Sequence, residues 1–165
     1  IDAAYESLLP LTATKQREKV ATVFQRMNRA EAATNQDPTV IAMGKDGRVK
    51  TLKTELGICY CVTCSTPKVW DDGCEAGHFV SRKYAASLLL EQNCHCQCNR
   101  CNQHSGGNQS VYRAYLIARY QDDDLPDRLH RIAHKHAPPS TYSLAKSLVE
   151  FKRRLACAEE ILCHS

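Results

Sequence analysis

Cys61-Val62-Thr63-Cys64 and, after residues 65–97, Cys98-Asn99-Arg100-Cys101 decide how this chain folds. A CxxC pair places two sulfurs on one tight turn, where both reach a single ion at about 2.3 Å. Two such turns complete a tetrahedral site of four thiolates, full and therefore structural rather than catalytic. A redox CxxC would account for one pair but not for the second. Cys59, Cys94 and Cys96 stand close enough in sequence to compete as ligands.

Around these turns the composition sets limits. Of 165 residues ten are cysteine, eight of them between Cys59 and Cys101. A secreted disulfide scaffold would explain an even count, but knuckle spacing and interspersed histidines favour metal over disulfides. The opening IDAAYESLLP has no basic stretch followed by an apolar one, and a reducing cytoplasm is expected. Apolar residues are 43% and charged residues 24%, which supports a real core and excludes wholesale disorder. No apolar run approaches the roughly 18 residues of a membrane span, so no membrane partner is expected. Lys and Arg number 22 against 18 Asp and Glu, a net +4 compatible with a nucleic-acid partner.

Three regions follow: 1–57, an N-terminal helix and β-like linker; 58–108, the cysteine-rich core; and 109–165, C-terminal helices packing on the first, all in one unit. The first helix spans about 12–34, with Val20, Val23, Phe24 and Met27 at helical spacing. Its other face is basic. Asp46-Gly47 reads as a hairpin turn. Residues 109–121 and 126–136 make two helices, and Ser140 or Thr141 caps a last one. There Leu144, Leu148, Phe151, Leu155 and Ala158 form a packing stripe. Residues 58–108 hold too few aliphatic side chains for a conventional core, and metal must substitute. The class is α+β, mostly helical.

Between and after the knuckles lie groups that a purely structural zinc ribbon does not need: Glu75-Ala76-Gly77-His78-Phe79, then Asn93-Cys94-His95-Cys96-Gln97-Cys98, then Asn102-Gln103-His104. As a strand, 93–98 would send Asn93, His95 and Gln97 to one face and its cysteines to the other. Phosphate contacts are expected from Arg26, Arg29, Arg82, Lys83, Arg100 and Arg113.

The string from Cys61 through Glu75–Phe79 and Asn93–His104 to Gly107-Asn108 and Tyr112-Arg113 resembles the NinG (Rap) recombination nucleases of lambda-like phages. More broadly it is similar to the HNH (ββα-metal, treble-clef) nucleases of the endonuclease VII type. That resemblance implies a zinc-stabilised ββα-metal core flanked by helices, with Cys61, Cys64, Cys98 and Cys101 on a structural Zn²⁺. It implies His78 as general base, with Asn93 orienting its ring. Asn102 and His104 would be catalytic residues on a divalent ion, Mg²⁺ or Mn²⁺, with Glu75 reaching it too. Gly77 stands where HNH proteins commonly carry Asp, and Glu75 where NinG-like sequences carry Asp. The extra cysteines Cys74, Cys94 and Cys96 could be buried thiols or, with His78 or His95, a second metal site.

The expected function is a metal-dependent, structure-selective DNA endonuclease cutting branched recombination intermediates such as Holliday junctions and D-loops. It would act as a homodimer in the cytoplasm of a phage-infected or prophage-bearing bacterium. The alternative is a non-catalytic zinc-dependent module binding nucleic acid or protein.

Overall fold

A computed structural model describes residues 1–164. A short helix, α1 (Asp2–Leu8), leads into α2 (Ala13–Ala32), whose start is fixed by the Thr12 hydroxyl accepting from the Lys15 amide at 3.4 Å. Three two-stranded antiparallel sheets follow: β1 (Thr39–Met43) with β2 (Val49–Lys53), β3 (Ile58–Tyr60) with β4 (Pro67–Val69), and β5 (Cys74–His78) with β6 (Cys94–Cys98). The chain ends in α3 (Gln109–Tyr120), α4 (Leu125–Lys135) and α5 (Thr141–Cys163). About half of it is helical, so the structure is a mixed α+β one with small sheets.

The β1–β2 turn runs through Asp46-Gly47, with Gly47 at φ +75° and the Gly44 amide bonded to the Arg48 carbonyl. The Ser140 hydroxyl caps α5 by accepting from the Ser143 amide at 3.1 Å. The apolar stripes of α2 and α5 then meet. Val20, Phe24 and Met27 pack with Leu144, Leu148 and Phe151, and the Phe24 and Phe151 rings lie 5.0 Å apart. Arg154 of α5 bonds Glu31 of α2 through two nitrogens, at 2.8 and 2.6 Å, which holds the helices in register. A second core forms where α3 and α4 bring Tyr112, Leu116, Leu125 and Leu129 against Phe79 and Val80.

The cysteine-rich hairpin lies between these cores. In β5–β6, Glu75 faces Gln97, Ala76 faces Cys96, Gly77 faces His95 and His78 faces Cys94. The first knuckle is pinned beside it by a bond from the Val62 amide to the Cys96 carbonyl at 2.9 Å. Pleating separates the faces as the alternation predicts: Cys94 and Cys96 join cores against α2, while His95 and Gln97 turn toward α3 and the first knuckle.

Among the described residues no helix is long and apolar enough to cross a membrane.

Candidate functional site

The sulfurs of Cys61, Cys64, Cys98 and Cys101 converge within 4.8 Å of one another. The first knuckle is a tight turn, the Ser65 amide bonding the Cys61 carbonyl at 2.8 Å with Ser65 at φ +64°, and after the second the Gly107 amide returns to the Cys101 carbonyl at 3.0 Å. The Cys64 and Cys98 sulfurs lie 3.8 Å apart, matching the roughly 3.8 Å edge of a tetrahedron built on 2.3 Å zinc–sulfur bonds. Burial pushes the Cys64 thiol up, but hydrogen bonds from Thr66 prevail and hold it at about 7. The donor set fits a tetrahedral zinc ion.

The second knuckle runs through one π-helical turn, Arg100–His104, with Asn99 as its N-cap. The turn and its cap deliver three amides to one carboxylate. Asn99 Nδ2 donates to Glu75 Oε1 at 3.0 Å, Gln103 Nε2 to the same oxygen at 2.6 Å, and Asn102 Nδ2 to Oε2 at 2.7 Å. Among the described residues Glu75 has no ion pair with any Lys or Arg. Held by neutral donors alone, the half-buried carboxylate keeps a negative charge that no side-chain cation balances. Carboxylate and amide oxygens are the hard donors that Mg²⁺ takes.

Gly77 is explained by its neighbour. A Cβ there would lie 2.0 Å from Gln97 Oε1, because the fully buried Gln97 side chain crosses the strand to donate to Thr63 Oγ1 and the Gly107 carbonyl, each at 3.0 Å. An Asp before His78 would have to displace Gln97 from these two hydrogen bonds, and Glu75 is the nearby acid. Gly77→Ala should lower unfolding free energy by about 1–3 kcal/mol through overpacking, read from a denaturant midpoint. An unchanged midpoint would show that Gln97 can move aside.

His78 is set apart from this carboxylate. Three residues along one strand, the two side chains leave β5 on opposite faces. His78 is 8% exposed, tilts against Phe24 at 6.5 Å, and its Nε2 lies 2.9 Å from the Leu88 carbonyl. A carbonyl only accepts, so the proton sits on Nε2, and Nδ1 is left basic without a partner. Desolvation lowers its pKa, with nearby Arg82 adding to the effect.

The contact that holds the His78 ring comes from the Leu88 carbonyl, not from Asn93. Asn93, fully buried, spends its amide on bracing the intervening loop: Oδ1 accepts from the Val80 amide at 2.8 Å, and Nδ2 donates to the Val80 and Ser87 carbonyls at 3.1 Å. His104 is exposed in the π-turn, and Gln103 takes the place beside Glu75. His95 is no metal ligand here. Its Nδ1 bonds Tyr112 at 2.9 Å and its Nε2 bonds Tyr120 at 2.8 Å, and burial pushes its pKa down to about 3.

The expected phosphate contacts divide. Arg82 and Arg100 are exposed near the site, and Lys83 lies over the Tyr84 ring. Arg113 is tied to Asp127 at 2.9 Å. Arg26 is turned to Glu159 at 2.7 Å and lies over Trp70, and Arg29 has a buried Nε, so both serve the α2–α5 side. Asn99 and Gln103 escaped the sequence reading. Their signal was helical spacing, since residues 99, 102 and 103 fall on one face of a turn.

These features define a small α+β protein with a four-cysteine cluster that could hold a metal, bordered by an acid-centred patch of amides. The family model described as "Bacteriophage Lambda NinG protein" matches residues 48–146, more than half of the chain, which belongs to that family. Over 62 residues, 36% of this chain, it is 42% identical to the "Protein ninG" of Escherichia phage lambda and to that of Salmonella phage P22. The matched stretch spans 28% and 29% of those relatives' lengths. No solved structure matches the chain.

Proposed function

We propose that this protein is a metal-dependent DNA endonuclease of the HNH type that hydrolyses phosphodiester bonds in branched recombination intermediates. The observation that carries this reading is Glu75, a carboxylate without a cationic partner, hydrogen-bonded to the Asn that directly follows the last knuckle cysteine. The β5–β6 hairpin running into the Arg100–His104 turn also follows the ββα order expected of such a core.

Glu75 and Asn102 would hold a divalent ion, with His104 as a further ligand from the same turn. The chemistry supplied there is stabilisation of charge on the phosphate and the departing oxygen. His78 is the base in this reading: the Leu88 carbonyl holds the proton on Nε2 and leaves Nδ1 to accept one, and because Nδ1 is buried on the face of β5 away from Glu75, the hairpin has to open for water to reach it. Its lowered pKa keeps the imidazole neutral at pH 7. Arg82 and Arg100 contact the DNA backbone, which positions the duplex without reading its sequence. Paired cuts across a four-way junction call for two copies, and an isologous homodimer supplies them. The place of action is a bacterial host carrying the phage.

The test is incubation of the protein with end-labelled four-way junction, D-loop and linear duplex, with Mg²⁺ or with a chelator. Cleavage of the branched substrates in Mg²⁺ alone is expected. Binding without any cleavage would instead support a non-catalytic module.

A further inference from the structure

We infer that Cys59, Cys74 and Cys96 form a second zinc site of three thiolates, separate from the four-cysteine knuckle. Their sulfurs lie within 4.8 Å of one another, and all three residues are buried, at 2%, 6% and 5% exposure. They arrive from three strands: Cys59 from β3, Cys74 from the start of β5, and Cys96 from β6. Two sulfurs meeting in a core is ordinary packing. Three converging from separate strands present one triangular face of a tetrahedron, whose edge for zinc is roughly 3.8 Å.

The surroundings supply what an ion there requires. Ala30, Ala33, Ala158 and Trp70 pack around the cluster, with Leu155 and Leu162 partly buried against it. The fully buried members are mostly cysteines and alanines, and an ion would add cohesion that their small side chains do not supply. Three thiolates on Zn²⁺ leave one negative charge. Arg29 stands beside the cluster, its carbonyl 3.3 Å from the Cys59 sulfur, and its guanidinium, with a buried Nε that has no acceptor, supplies the counter-charge. A bound thiolate is an acceptor for that N–H.

Both histidines that might have completed the set are committed elsewhere, His78 to Leu88 and His95 to the two tyrosines. Among the described residues no further Cys, His, Asp or Glu joins the cluster, so a water fills the fourth position. A disulfide would satisfy two of the sulfurs and strand the third in the same buried space. Zinc uses all three, releasing their protons as it binds. Its structural effect is to fasten β3 and the β5–β6 hairpin beneath α2 and α5.

Native mass spectrometry and metal analysis of the full chain purified without chelators test this. Two zinc ions per chain are expected, falling to one in Cys96→Ser and staying at two in Cys59→His, which keeps a ligand. Should Cys96→Ser fail to fold, zinc X-ray absorption of the wild type decides, with about 3.5 sulfurs per zinc averaged over a three-sulfur and a four-sulfur site. One zinc per chain with four sulfurs overturns the proposal. So does an unreduced mass two hydrogens short, with the disulfide mapped to Cys59, Cys74 or Cys96.

Discussion

His78→Ala should reduce cleavage of branched DNA by about 10²–10⁴-fold while leaving DNA affinity nearly unchanged. The imidazole is proposed to act on water, and at 8% exposure it has little surface to offer a duplex. Zinc content should stay the same, because neither cysteine cluster includes this residue. The wild-type pH profile supplies a second reading. Only neutral His78 accepts a proton, and burial lowers its pKa, so the acid limb of kcat/KM should fall below the ordinary value of about 6.5. A limb centred above 7, or a His78→Ala protein that cuts at the wild-type rate, would remove His78 from the chemistry.

Cys98→Ala should be as damaging to the fold as His78→Ala is to catalysis. The cluster of Cys61, Cys64, Cys98 and Cys101 forms its own small core, with no aliphatic side chain in it. Structural zinc sites contribute about 10–16 kcal/mol of apparent binding free energy at neutral pH, more than the whole stability of most domains. Soluble, folded protein should therefore fall sharply in Cys98→Ala. Strong chelation should likewise abolish tertiary structure around residues 59–108, seen as lost amide dispersion in that segment. A well-folded Cys98→Ala protein with its zinc undiminished would show that another residue closes the site.

The two long helices were legible from apolar stripes at helical spacing that bury one face of each, with Ser140 also expected to cap α5; the short α1 carried no such signal and was not anticipated. The knuckles were legible because metal geometry is written in short spacings. Less visible was everything decided by contact across the sequence. Asn93 looked like a ring-orienting residue from its offset to Cys98, yet its neighbours in space are Val80 and Ser87, across a loop whose path no periodicity describes. Arg26 and Arg29 looked solvent-facing because they are charged. The packing of α5 on α2 turned Arg26 toward Glu159, with Arg29 beside Cys59. The pairing of Glu75 with Asn99, Asn102 and Gln103 needed the hairpin register and the π-turn together. The extra cysteines announced a surplus of thiols, and only the arrangement of three strands sorts them into a trio with Cys59 and a lone Cys94.

The central claim, that Glu75 and Asn102 hold the working ion, is tested most directly by single-turnover cleavage of a labelled four-way junction across a Mg²⁺ titration. Wild type, Glu75→Gln and Asn102→Ala are compared at equal zinc content. Asn102→Ala is expected to need several-fold more Mg²⁺ to reach half its maximal rate and to recover partly when Mg²⁺ is raised. Glu75→Gln, which loses the charge as well, should shift further. Mg²⁺ midpoints unchanged in both variants would show that neither residue holds the ion.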